Sequence, residues 1–157
     1  METLAPTFIY RHTRIRITTE CQREFLDLTE GLEALVAEAG ITVGFVNIHS
    51  LHTTAAIVVN EREPLLLGDF GALLERIAPG DACYQHDDAT VRTVNLSPGE
   101  RSNGDAHCKA LLLGAGACLN VVDGRLLLGR WQRVFLAEMD GPRARDISVL
   151  MMGEGGR

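Results

Sequence analysis

The sequence predicts a single packed domain in which β-strands outnumber α-helices. A chain of 157 residues is an ordinary length for one domain and can bury one sizeable core. Apolar residues make up 46% of the chain and charged residues 23%, which is typical of a globular protein. Short runs of alternating or helically spaced apolar residues follow one another without repeats or linkers. We therefore expect one domain over residues 1–157.

The first third of the chain predicts a strand, a helix and a second strand. Residues 8–18 alternate isoleucine with arginine, as in a strand with one apolar face. Thr19 with Gln22 resembles a capping box, and apolar residues then recur at helical spacing as far as Gly40, so we expect a helix between them. Residues 41–49 carry apolar side chains on both faces and predict a central strand covered on both sides.

The middle of the chain predicts a strand, a helix and a long irregular segment. Residues 55–59 resume an extended apolar pattern. Pro64 suits the first turn of a helix, which Pro79-Gly80 would end. Residues 81–104 are rich in Asp, Asn, Ser, Pro and Gly and lack a clear period. Long loops in compact domains tend to carry function or contact partners.

The last third predicts a short helix followed by strands. Residues 106–113 form the helical pattern, with Asn103 or Asp105 as its cap. Asp123-Gly124 predicts a hairpin whose returning strand continues from Arg125 to Glu138. Residues 147–151 alternate as a final strand.

Charge and composition exclude several classes of protein. A net charge of −6 argues against a general nucleic-acid surface. The longest apolar run, residues 110–122, is interrupted and too short to span a bilayer, and no secretory signal is recognisable. We therefore expect a cytoplasmic protein without nucleic-acid or membrane partners. Its four cysteines are expected to be reduced and buried: Cys21, Cys83, Cys108 and Cys118.

Four polar islands at the ends of the apolar elements hold the candidate functional residues. Unpaired buried charge is costly, so imidazoles, carboxylates and guanidiniums in such places indicate an active or binding site. The islands are His52-Thr53-Thr54-Ala55 with Asn60-Glu61, Tyr84-Gln85-His86, Asn103-Gly104-Asp105-Ala106-His107, and Asp140-Gly141-Pro142-Arg143-Ala144-Arg145.

The last island offers a candidate anion site. Arg143 and Arg145 are two residues apart and would project to the same face of an extended segment, where two guanidiniums can clamp phosphate or carboxylate. The alternative is a turn whose arginines pair with Asp140 or Asp146, or with a neighbouring subunit. The hydroxyls of Thr53 and Thr54 could also bind phosphate, although β-branched residues simply favour strands.

Three histidines offer a candidate metal or proton-transfer site. His52, His86 and His107 supply suitable nitrogen donors, and the candidate oxygen donors are Glu61, Asp69 and Asp105. Their spacing matches no recognised metal motif, and a single histidine is more often structural than a ligand. A nucleophile elbow, a phosphate-binding Walker loop and a paired-cysteine zinc motif are all missing from the sequence.

Taken in order, the islands resemble the YjbQ-like family, whose members are catalogued as secondary thiamine-phosphate synthases. The resemblance spans about residues 8–152. Arg130 departs from the family pattern, because it stands where the L-G-T-W-Q motif usually has threonine. The matching motifs are H-T-T-A, N-E, Y-x-H, N-x-D-A-H-x-K, L-G-x-W-Q and D-G-P-R-x-R.

The resemblance implies an α+β fold with a seven-stranded β-sandwich in two sheets, two or three helices, and a homotrimer with its sheets around the threefold axis. It also implies a transferase that joins a pyrimidine diphosphate to a thiazole phosphate and releases pyrophosphate. In that reaction cations, usually including magnesium, neutralise the leaving group.

Residue roles follow from the same resemblance. His107, Glu61 and Asp105 are expected to be catalytic. Phosphate binding is assigned to Thr53, Thr54, Asn60, Arg143 and Arg145, and metal binding to His52, His86 and His107. Magnesium prefers oxygen ligands, whereas a histidine cluster prefers zinc, so the divalent metal stays open between the two. Two alternatives remain: a zinc-type metal-dependent hydrolase, and a non-catalytic trimeric binder of a small anionic metabolite.

Overall fold

The computed structural model of the protein describes residues 7–155, which form two antiparallel sheets and three α-helices. A short 3-10 turn, Gln85–Asp87, lies in the long irregular segment. The strands are β1 Thr7–Thr18, β2 Glu24–Asp27, β3 Ile41–Ser50, β4 Ala55–Glu61, β5 Gly116–Val122, β6 Arg125–Leu126, β7 Gln132–Glu138 and β8 Ala144–Gly155. The helices are α1 Thr29–Ala39, α2 Pro64–Ile77 and α3 Gly104–Leu113.

The two sheets share one core and the helices cover its margins. The large sheet has the order β1-β8-β3-β5-β6, and the small sheet has the order β2-β7-β4. Apolar side chains of both sheets and of α1 form the main core: Leu32, Val36, Val46, Ile48, Ile57, Leu136, Ile147 and Val149. On the other face of the small sheet, Ala56 and Ala137 pack with Leu74 of α2 and Ala106 of α3.

The structure has eight strands, one more than the family resemblance implies and two more than the apolar patterns predict. The two additions are Glu24–Asp27 and the division of the predicted strand over 125–138 into two. Arg125–Leu126 belongs to the large sheet, whereas Gln132–Glu138 belongs to the small one. Between them the chain turns, with the Gln132 N–H donating to the Gly129 carbonyl at 2.9 Å. The Asp123-Gly124 hairpin and the helix beginning at Pro64 are confirmed.

The helix predicted to begin at Thr19 is wrong over its first ten residues. Thr19 donates its hydroxyl to Glu138 at 3.1 Å instead of capping a helix. Glu24–Asp27 pairs with β7 as a strand, and the helix begins only at Thr29. Phe25 and Leu28 fit a helical stripe and a strand equally, so pairing with β7 decided the outcome. The end of the helix at Gly40, with φ of 70°, is as predicted.

The prediction that β3 is covered on both faces is also wrong, because a single chain covers only one face of this strand. Val46 and Ile48 are fully buried, but Val43 is 55% and Phe45 38% exposed on the opposite face. The outer face of the large sheet is therefore uncovered and partly apolar.

The four cysteines are free, as expected, but they are not buried. Cys108 is partly buried, and the other three are exposed. In the part of the chain that the structure describes, no helix is both long and apolar enough to cross a bilayer.

Candidate functional site

Residues from all four islands meet around one cavity of about 780 Å³, called here the polar cavity. The end of β3 and the following turn, the 3-10 turn, the start of α3 and the segment before β8 each contribute to its lining. The cavity therefore brings together seven residues predicted from the sequence: His52, Thr53, Thr54, His86, His107, Arg143 and Arg145.

A buried ion pair forms one wall of the polar cavity. The guanidinium of Arg145 donates to both carboxylate oxygens of Glu138 and, at 3.0 Å, to the hydroxyl of Thr54. Burial alone would raise the pKa of Glu138, but the hydrogen bonds from Arg145 and from the Asp140 N–H outweigh it and lower that pKa. Arg145 is thus largely neutralised inside the protein by Glu138, whereas Arg143 makes the pair with Asp140 that the sequence offered as the alternative to anion binding.

A second carboxylate, Asp140, gathers the cations at the rim. Arg143 Nη2 lies 2.7 Å from Asp140 Oδ2, and Arg101 Nη2 lies 3.4 Å from Oδ1. Asn103 also donates to Oδ2 at 2.9 Å. The side chains of Arg143 and Arg101 are 39% and 52% exposed, so both guanidiniums remain open to the cavity. Two cations share one carboxylate, which leaves this rim net positive and suited to an anion.

His52, which lines the cavity, has a defined tautomer. Its Nε2 accepts the backbone N–H of Asp146 at 2.8 Å, so in the neutral ring the proton lies on Nδ1. Burial and the nearby charge of Arg145 lower the pKa of His52, which favours this neutral form. His52 can therefore donate one N–H bond to a ligand without adding charge.

His86 and His107 form an edge-to-face pair, with ring centroids 4.5 Å apart. Burial, and then the proximity of His86, lower the pKa of His107. Asp87 fixes the pair because its Oδ1 accepts the backbone N–H groups of Asn103 and Gly104 at 2.9 and 3.0 Å. A Cβ at position 104 would lie 2.4 Å from the Cβ of Tyr84, so only glycine permits this close approach.

The sequence indicated that the long loop over 81–104 carries function, but not that Arg92 and Arg101 are the residues that contribute to the site. The Arg92 guanidinium donates to the backbone carbonyls of His86, Val94 and Asn95 and so holds the loop against the 3-10 turn. Arg101 then reaches the rim from the end of the same loop. Neither arginine stands in a periodic pattern or a motif, so local sequence gave no signal for them.

Asp105 lies outside the polar cavity, in a closed ion cluster called here the lysine cluster. Lys109 Nζ lies 2.6 Å from Asp105 and 2.9 Å from Glu75, and Glu75 also pairs with Arg23 at 2.6 Å. Lys109 is completely buried. The cluster joins α3 to α2, and it gives Asp105 a partner away from the predicted site.

Asn60 and Glu61 lie at the other end of β4 from the polar cavity. They pair in register with Arg133 and Gln132 of β7. At about 3.3 Å per residue, Glu61 is roughly 20 Å along the strand from Ala55. Within one chain the structure therefore separates these two residues from the other predicted site residues.

The three predicted metal ligands line one cavity without forming a metal site. Within residues 7–155, no three His, Cys, Asp or Glu side chains are close enough together to hold a metal ion. The Nε2 of His52 is also already engaged by the Asp146 N–H. The arrangement thus does not fit a three-histidine metal centre.

The fold and the site together define a class: an α+β protein of two antiparallel sheets with a cavity lined by guanidinium and imidazole groups. Residues 13–154 match the family model described as UPF0047 protein YjbQ-like. The chain belongs to this YjbQ-like family, which confirms the resemblance drawn from its motifs.

Relatives and solved structures agree with this assignment. A UPF0047 protein of Methanothermobacter thermautotrophicus is 36% identical over 138 residues, covering 88% of this chain and 89% of the relative. UPF0047 protein YugU of Bacillus subtilis is 34% identical, covering 88% and 97%. The crystal structure of a YbjQ-like protein of unknown function from Sulfolobus solfataricus P2 superposes with a TM-score of 0.84 at 33% identity, covering 94% of this chain and all of the other.

Proposed function

We propose that the polar cavity binds the phosphate groups of a small molecule and that the protein is a thiamine-phosphate synthase-like transferase. The observation that carries the proposal is the pair of open guanidiniums, Arg101 and Arg143, on a rim shared with His52. The specific reaction in this proposal, the joining of a pyrimidine diphosphate to a thiazole phosphate, comes from the family resemblance.

The chemistry of that reaction suits cations and neutral donors. The carbon–oxygen bond to the diphosphate breaks, its electron pair leaves with pyrophosphate, and a lone pair of the thiazole ring forms the new carbon–nitrogen bond. Negative charge accumulates on the leaving group, where Arg101 and Arg143 would stabilise it. His52 and His107 would add N–H donors in their neutral forms. No proton has to be removed in this step.

We assign no step to a metal, since the histidines do not form a metal centre in the described residues. The zinc-type hydrolase loses its support for the same reason. The remaining alternative is a non-catalytic binder of anionic metabolites. The two carboxylates that line the cavity, Glu100 and Asp140, are both paired with arginines, so a reaction that needs a free carboxylate base has no support here.

The test is turnover by the purified protein with both substrates, with magnesium or with a chelator, followed by mass spectrometry. We expect thiamine phosphate from the unaltered protein and at least tenfold less from Arg143→Gln. Arg76→Gln is the matched control, because Arg76 is an exposed arginine on α2 outside the cavity. Pyrophosphate binding without product would favour the non-catalytic binder. The absence of both pyrophosphate binding and product would overturn the proposal.

We also propose a homotrimer assembled through the outer face of the large sheet. Tyr10, Met152 and Phe45 form a continuous row across β1, β8 and β3 on this face, with Val43 beside it. Exposed apolar patches of this kind mark association surfaces. In such an assembly Asn60 and Glu61 would approach a cavity only across a subunit boundary.

Light scattering after size-exclusion chromatography tests the assembly. We expect the mass of three chains for the unaltered protein and of one chain for Phe45→Glu. Leu73→Glu, at an exposed apolar position on α2, should keep the trimer mass. A one-chain mass for the unaltered protein would contradict the assembly.

A further inference from the structure

Helix α2 leaves most of its apolar surface uncovered. In the described structure Leu74 is the one residue of this helix that is buried. Three other large apolar side chains, Leu65, Leu73 and Ile77, are 78%, 45% and 55% exposed. The helix packs on the small sheet, not on the large sheet whose outer face is proposed to form the trimer. Exposed apolar side chains that gather on one side of a helix indicate contact with another protein surface.

The exposed residues of α2 form one stripe along the helix, called here the α2 stripe. Their positions recur at spacings of three and four, so they lie on the same side. Besides large apolar side chains, the stripe holds small residues and one charge of each sign, two helical turns apart. Its members are Leu65, Gly68, Asp69, Ala72, Leu73, Arg76 and Ile77.

Gly68 has no packing role within its own chain. A glycine in the middle of a helix lowers helix stability relative to alanine. A Cβ at position 68 would meet no atom within 4 Å, so the fold of one chain does not require glycine there. The missing side chain leaves room on the α2 stripe for a large side chain from another molecule.

The α2 stripe is complementary to itself when two copies of the helix pair in antiparallel directions. If Ala72 lies opposite Leu73 of the second copy, the same alignment places Gly68 opposite Ile77 and Asp69 opposite Arg76. Each contact then joins a small residue to a large one, or a carboxylate to a guanidinium. A twofold axis repeats every contact, because each copy offers both halves of each pair.

We infer that the α2 stripe binds the same stripe of a second copy of this chain about a twofold axis. A second copy is the favoured partner because its charges and side-chain sizes match this surface position by position. A contact made by one 14-residue helix from each chain falls below the roughly 1,000 Å² of stable interfaces. Association should therefore be weak, and the dilute protein of a chromatography run should keep the mass expected from the proposed trimer.

Sedimentation equilibrium over a hundredfold range of protein concentration tests the inference. We expect the weight-average mass of the unaltered protein to rise to at least twice its dilute value. Asp69→Arg and Arg76→Asp should each keep the dilute mass, because like charges would then meet twice in the pair. Mixing these two variants, or combining both changes in one chain, should restore the association.

The two glycines of α2 provide a second variant and its control. Gly68→Leu should prevent association, because the new side chain would occupy the space opposite Ile77 of the second copy. Its thermal unfolding temperature should not fall, since leucine favours the helix more than glycine does. Gly71→Leu should still associate, because Gly71 lies off the α2 stripe, and a Cβ there would also meet no atom within 4 Å.

The outcomes separate this inference from the proposed trimer. A constant mass for the unaltered protein at all concentrations would overturn the inference. Association that survives in Arg76→Asp and in Gly68→Leu would overturn it as well, by assigning the contact to another surface. Both results are judged against the dilute mass, whether that is one chain or three, so the trimer and the α2 contact can fail independently.

Discussion

Two ion clusters beside α3 contain the same kinds of residue but serve different purposes. At the rim of the polar cavity, Asp140 holds Arg101 and Arg143, whose guanidiniums remain open to solvent. In the lysine cluster, Lys109 is completely buried between Asp105 and Glu75. In the first cluster one carboxylate is shared by two exposed cations, whereas in the second two carboxylates enclose the ammonium of Lys109 and one of them also pairs with Arg23. A charged cluster can bind a ligand only if its cations are accessible to that ligand; otherwise the cluster has a structural role.

The largest expected effect comes from the ion pair behind the cavity. Glu138→Ala would leave Arg145 buried without its carboxylate, and we expect a loss of about 3–5 kcal/mol in the free energy of unfolding. Urea denaturation measures it. Arg16→Ala, which removes a partner from the exposed pair with Asp146, should change stability little. Equal losses in the two variants would show that burial does not strengthen the Glu138–Arg145 pair.

Breaking the lysine cluster should reduce stability without affecting binding. Lys109→Met removes a buried cation and leaves Asp105 unpaired, so we expect a loss of about 3 kcal/mol in the free energy of unfolding. Pyrophosphate affinity, measured by calorimetry in the absence of denaturant, should stay within about twofold. A large loss of pyrophosphate affinity in a folded Lys109→Met protein would show that the lysine cluster takes part in ligand binding. The difference between the lysine cluster and the rim of the polar cavity would then not hold.

A change at the rim of the polar cavity should reduce ligand binding with little effect on stability. Arg143→Gln removes a partly exposed guanidinium, so we expect pyrophosphate affinity to fall about 10- to 100-fold, as for the loss of a charge-assisted hydrogen bond. The free energy of unfolding should fall by only about 1 kcal/mol, because Arg101 and Asn103 still hold Asp140. Unchanged affinity would place the anion elsewhere.

The smallest effect is a pH dependence of stability from the cavity histidines. The pKa values of His52 and His107 are lowered in the folded protein from the ordinary 6.5. As pH falls below about 6.5 the unfolded chain takes up protons first, so stability should decrease until the folded pKa values are reached. His107→Gln should flatten the slope between pH 7 and 5 in urea titrations. An unchanged slope would mean that His107 is not perturbed by burial.

Sequence predicted those parts of the fold that local chemistry decides. Pro64 and Asp123-Gly124 marked a helix start and a hairpin because their backbone preferences act within a few residues. Glu24–Asp27 was missed because it becomes a strand only by pairing with β7, more than 100 residues away. The division of residues 125–138 between two sheets likewise depends on tertiary packing.

The residues of the candidate site can also be divided into those that the sequence indicated and those that only the fold brings together. His52 and Arg143 stood out because each lies in a polar island beside an apolar strand. Arg101 escaped notice because a charge in a long loop is usually solvated, and only the folded chain brings it to Asp140. Asp105 looked equally functional in sequence, yet Lys109, one helical turn further, holds it in a closed cluster.

A crystal structure of the protein soaked with pyrophosphate tests the central claim most directly. The claim is that segments far apart in sequence build one anion site at the polar cavity. We expect pyrophosphate density within hydrogen-bonding distance of Arg101, Arg143 and Nδ1 of His52. Pyrophosphate bound at another surface while these three side chains remain without a ligand would contradict the claim.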